Sequence, residues 1–97
     1  MKLLTQEIRE RLPPLYSTQT QEDPVAFVRY FHPQSKWVWV ATEYSPEEKL
    51  FFGLVIGFER ELGYFSLEEL ESIGRDGKLL PVERDLYFTP TPLSQCK

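Results

Sequence analysis

Two acid–arginine–acid triplets, Glu59-Arg60-Glu61 and Glu83-Arg84-Asp85, are the residues whose types and spacing first suggest chemistry. In extended backbone, successive side chains alternate sides, so each triplet would put its two acids on one side and its arginine on the other. Carboxylates paired in this way do general acid–base work when burial drives their proton affinities apart. Left in water, they make ion pairs worth about 0–1 kcal/mol each. A catalytic reading, a small hydrolase or transferase, needs these carboxylates to converge on His32, the only histidine. A binding reading needs them only to be exposed.

Other constellations are weaker. One histidine and one cysteine, Cys96, fall short of a zinc ligand set, and neither HExxH nor CxxC occurs. No metal and no cofactor are expected. Ser35, Ser45 and Ser66 are formal partners for a Ser–His–acid arrangement, but GxSxG is absent and Ser66 is needed as a helix cap. Gly74-Arg75-Asp76-Gly77-Lys78 looks superficially like a phosphate loop, yet it follows a helix and so meets the negative end of the dipole. Trp37, Trp39 and Tyr30 would serve as a stacking platform for single-stranded nucleic acid only beside a basic groove, and the nearby cations are just Arg29 and Lys36. As a structural face or a protein-contact patch they need no such groove.

The charge balance points the same way. Net charge is −4, and residues 43–85 hold eleven acidic against five basic side chains. Duplex binding depends on clustered Lys and Arg for counterion release, so an acidic middle disfavours nucleic acid and suits a basic partner surface. The 97 residues, 14% of them aromatic, are enough for one modest core; a chain of this size buries about 65% of its unfolded surface. A single cysteine allows no internal disulfide. The amino terminus turns polar after Leu3-Leu4, short of the roughly 7–15 apolar residues of a signal peptide. The apolar run Leu50–Phe58 is shorter than the roughly 20 residues a spanning helix takes. A cytoplasmic location without membrane association is the expectation.

The elements that must position these groups begin with an amphipathic helix over Thr5–Leu15, stopped by Pro13-Pro14. Residues 25–58 turn β-branched and aromatic and predict three strands: Val25–Phe31, Trp37–Glu43 and Leu50–Phe58. The last is apolar on both faces and is expected to be central. Ser66-Leu67-Glu68-Glu69 is a capping box, which predicts a helix from Ser66 to about Ile73 ended by Gly74. Leu79–Val82 and Leu86–Phe88 are further short strand candidates. The resulting fold class is α+β: a single small antiparallel sheet of about 4–5 strands, meander-like, with two short helices. It forms one domain over residues 1–97, with a flexible tail from about residue 89.

Six segments carry a family resemblance: Leu3–Thr5, Leu12–Tyr16, Trp37 through Glu43, Phe51–Gly53, Glu61–Ser66 and Glu83–Phe88. Over about Leu3–Leu93 the chain resembles the small bacterial domain-of-unknown-function family DUF2958. Members are typically encoded on plasmids, conjugative elements and phage-like islands, which implies a host-interaction or counter-defence role. The family brings no catalytic residues to carry over. Many relatives have a longer insertion where this chain has only Tyr44–Leu50.

The resulting expectation is a non-enzymatic protein-binding module that docks on a host defence nuclease complex. The contact candidates are Glu43, Glu59, Arg60, Glu61, Glu83, Arg84 and Asp85, with Trp37 and Trp39 as aromatic anchors. A homodimer is a further expectation.

Overall fold

In the computed structural model, which describes all 97 residues, Thr5 opens the first helix, α1 (Gln6–Arg11). Its hydroxyl accepts the Ile8 amide at 3.2 Å, satisfying one of the N–H groups that a helix start leaves unpaired. The helix ends at Leu12, which is extended at φ −76°, ψ 121° because the ring of Pro13 disfavours helical backbone before it. The prolines therefore act earlier than the expected span to Leu15. The second helix, α2 (Leu67–Ser72), starts at the expected cap: the Ser66 hydroxyl accepts the Glu69 amide at 3.0 Å.

The β-branched and aromatic middle folds as expected into an α+β architecture with an antiparallel sheet. The strands of this sheet are β2 (Val28–Phe31), β3 (Val38–Ser45), β4 (Leu50–Ile56), β5 (Arg60–Ser66) and β6 (Glu83–Arg84). Their spatial order is β5-β4-β3-β2-β6, a four-stranded meander with β6 returning to the far side of β2. Two outlying strands, β1 (Val25–Ala26) and β7 (Thr91–Pro92), pair with each other antiparallel.

Several boundaries differ from expectation. The segment Val25–Phe31 is divided at Phe27, whose amide donates to the Ala41 carbonyl at 3.0 Å; β1 leaves the main sheet there and meets β7. The expected tail is docked: Leu93 and Cys96 are buried against β3 and β4, and the Leu93 amide donates to the Pro24 carbonyl at 2.9 Å. Neither Leu79–Val82 nor Leu86–Phe88 is a strand. The pairing falls instead on Glu83–Arg84, opposite Tyr30 and Phe31, while Leu79, Leu80 and Leu86 remain exposed. No strand is expected between the apolar run and the capping box, yet β5 occupies that stretch from Arg60 onward. Phe58, expected at the end of a strand, lies in the β4–β5 turn.

Both faces of the sheet are covered, as the two apolar faces of β4 require, although the central strand is β3. One face carries Tyr30, Trp39, Tyr44, Phe51 and Phe65 beneath Leu70 of α2 and Leu12. Phe51 is wholly buried and meets Tyr44 at 4.7 Å and Phe65 at 5.2 Å between ring centroids; a buried ring of this kind contributes about 2–3 kcal/mol. The other face, with Val38, Val40 and Leu54, is closed by Ala26, Leu93 and Cys96. Gly53 sits against the backbone of β3: a Cβ there would run into the Val40 carbonyl oxygen.

One irregularity decides where the later side chains of β3 point. The β3–β4 register runs in step to Ala41↔Gly53 and resumes at Glu43↔Phe52, leaving Thr42 as an extra residue. Such a bulge flips every later side chain to the opposite face. It sends Tyr44 into the aromatic core and turns Glu43 to the other side.

Candidate functional site

Of the acidic residues singled out in the sequence, Glu43 is the one the fold keeps inside. It is only 2% exposed. Its Oε1 accepts the Tyr16 amide at 2.8 Å, and its Oε2 accepts both the Thr18 amide, at 2.8 Å, and the Thr18 hydroxyl. These bonds hold Tyr16 at φ +72°, a left-handed backbone that costs a non-glycine residue free energy and persists only where the surroundings enforce it. Glu43 is thus committed to the 13–18 loop and is not a surface contact. The Tyr16 ring it positions lies 6.4 Å from the ring of Tyr64 on β5, whose phenol is pushed above its ordinary value by desolvation and by Tyr16.

The second triplet is also engaged, chiefly within the fold. The Arg84 guanidinium donates to the Lys2 carbonyl at 2.6 Å. Asp85 pairs with Arg29 at 3.2 Å, both partly buried, and accepts the Tyr87 amide at 3.0 Å. Glu83 is half-buried opposite Phe31.

The first triplet follows the alternation expected of extended backbone. Arg60 donates to the Cys96 carbonyl at 2.9 Å and lines a groove with Phe52, Leu54 and Leu62. Glu59 and Glu61 face the opposite side, exposed, and line a concavity of about 420 Å³ with Trp37, Val55 and Phe58. The aromatic rings there form a ladder from core to water. Trp39 is buried; Trp37 lies 6.0 Å from it and lies over Gly57, where any Cβ would strike the indole. Phe58 packs edge-on against Trp37 at 5.5 Å. The turn is closed by the Gly57 amide donating to the Glu59 carbonyl at 3.0 Å, and Phe58 itself is 96% exposed. Sequence reading misses Phe58, because an apolar run ending in Phe reads as continuing strand. The signal that marks it is its place between Gly57 and Glu59.

The residues of the catalytic reading do not converge. The triplets lie at opposite edges of the sheet, four inter-strand gaps or about 19 Å apart. His32 is buried, with Nδ1 at 3.1 Å from the Ser35 hydroxyl and Nε2 at 3.0 Å from the Leu80 carbonyl. A carbonyl only accepts, so Nε2 donates to Leu80. Both nitrogens thereby tie the β2–β3 turn to the 79–81 segment. No three His, Cys, Asp or Glu side chains group so as to hold a metal ion. No helix is long and apolar enough to cross a membrane.

A family model described as "Protein of unknown function (DUF2958)" matches residues 3–96. No curated protein and no solved structure matches the chain.

Proposed function

The chain belongs to the DUF2958 family, and we propose that it is a protein-binding module from a mobile genetic element. In this reading it blocks a host defence complex, of the CRISPR or restriction type, by docking the β4–β5 tip on a basic surface of that complex. The observation that carries the reading is Phe58. A phenylalanine 96% in water, packed against Trp37 and flanked by two unpaired carboxylates, is suited to an interface. Aromatic residues fixed in place before binding are the usual energetic anchors of such contacts. Complementary charge at their rim sets orientation and association rate. The mobile-element setting and the defence target come from the family resemblance. The cytoplasm, where such complexes act, is the proposed location.

The test is inhibition of a purified host defence nuclease complex. Phe58→Ala and the pair Glu59→Lys with Glu61→Lys are each expected to weaken inhibition at least tenfold with no change in thermal midpoint. Inhibition unchanged in both would overturn the reading.

A further inference from the structure

The strand that carries Glu61 has a second property that the tip alone does not explain. β5 is seven residues long, pairs only with β4, and does so without a register break from Arg60↔Ile56 to Ser66↔Leu50. Its outer edge carries no proline and no lysine, the residues that commonly blunt such an edge. Leu62 is 63% and Tyr64 49% exposed. A long, regular, partly apolar edge is a template for one more strand, whose main chain supplies affinity while its alternate side chains are read on the two faces.

The two faces of β5 differ, and that difference specifies the visitor. On one face Leu62 and Tyr64 continue an apolar strip with Leu54 and Phe52, the Phe52 and Tyr64 rings 4.9 Å apart. On the other face Glu61 opens into the concavity walled by Trp37 and Phe58 and shared with Glu59. Gly63 follows on that same face with open space where a side chain would stand, a notch for a long side chain reaching toward Glu61. Two aromatic rings and two carboxylates around one hollow suit a cation.

We propose that β5 accepts an extended segment of a partner protein in which arginine or lysine alternates with apolar residues. The basic side chains enter the Trp37–Phe58–Glu59–Glu61 hollow, and the apolar ones cover Leu62 and Tyr64. The proposal rests on the protein-binding function just proposed and adds how the partner is held and what its sequence looks like. A second copy of this chain fits the edge less well. Antiparallel self-pairing about Gly63 would bring Glu59 of one copy beside Glu68 and Glu69 at the start of the other's α2, while Arg60, the one cation on the strand itself, is bound to the tail.

The probe is an acetylated, amidated octapeptide alternating arginine and valine. It is compared with a block peptide of four arginines and four valines, and with the alternating peptide N-methylated along one edge. Affinity is read by calorimetry, and hydrogen–deuterium exchange is followed across residues 60–66. Expected results are at least tenfold tighter binding of the alternating peptide than of either control, slowed exchange in β5, and a tenfold loss with Glu61→Lys. Equal binding of the block peptide, or unchanged β5 exchange, overturns strand addition. β5 protection in concentrated protein without peptide, accompanied by dimerisation, overturns the choice of partner in favour of self-pairing. If the nuclease assay responds to Phe58→Ala while the peptide fails, tip docking stands and strand addition falls; if the peptide binds as expected while the nuclease assay is indifferent, the reverse holds.

Discussion

At one edge of the sheet, β6 contributes two residues, and its Arg84 is tied to the amino-terminal backbone. At the other edge, β5 runs seven residues with Leu62 and Tyr64 open to water. Each edge bears one of two nearly identical triplets, yet Asp85 is spent on Arg29 and the Tyr87 amide while Glu61 has no hydrogen-bond or ion-pair partner within the chain. Composition therefore does not decide what an acidic cluster is for. What decides is whether the rest of the chain arrives to cover it, and here both termini come to hand: the first residues close β6, while the last ones meet Arg60 and Arg29 and leave the Glu59–Glu61 side uncovered.

The contrast between the edges is lost most severely if the sheet that separates them is disturbed. Gly53→Ala forces a Cβ into the Val40 carbonyl at the centre and should cost more than about 3 kcal/mol in denaturant unfolding. A loss under about 1 kcal/mol would mean the strands part easily. Next comes Glu43→Ala, which orphans the Tyr16 and Thr18 amides and should cost about 2–3 kcal/mol. The Tyr16 ring should also lose its place beside Tyr64, visible as a change in aromatic proton shifts on β5.

The matched pair Asp85→Asn and Glu61→Gln sets one edge directly against the other. The first weakens a partly buried ion pair and should cost about 1 kcal/mol, whereas the second should stay within about 0.5 kcal/mol. Equal effects in thermal unfolding would erase the distinction between the edges. The smallest effect is on pH. Hydrogen bonds from the Ser94 hydroxyl and then its amide hold the Asp23 carboxyl below its ordinary value. Its stabilising contribution is therefore present above the unfolded value of about 3.9 and lost as pH falls through the lower folded one. A carboxyl titration by carbon NMR should find Asp23 below that reference, with the Ser94 amide shift following it. A value at or above the reference would show that this clasp on the tail beside Arg60 does not form.

Local signals are legible in the sequence and long-range ones are not. Ser66 and Glu69 are three residues apart, so the start of α2 can be read directly, and the two-faced run Leu50–Ile56 announces a strand covered on both sides. The fate of Glu43 depends on Thr18, 25 residues away, and that of Asp85 on Arg29, 56 residues away. No spacing rule reaches so far. β5 escapes notice because its alternation sets Leu62 and Tyr64 against Glu61, Gly63 and Phe65, a face with one acid, one notch and one buried ring. Thr91–Pro92 escapes because its partner, Val25–Ala26, lies far away along the chain, and a proline within a strand argues against a strand unless it sits on an edge.

The extra residue at Thr42 acts as a parity bit for the last part of β3. Were it taken into the ladder instead, strict alternation would drive Glu43 among Tyr30 and Phe51 and expel the Tyr44 ring, whereas deleting its codon would keep Glu43 opposite Phe52 and Tyr44 opposite Phe51. The turn at residues 46–49, just beyond, is under no such counting rule. Chain added there lengthens the molecule at the end remote from Phe58, and the β4–β5 tip would be inherited unchanged.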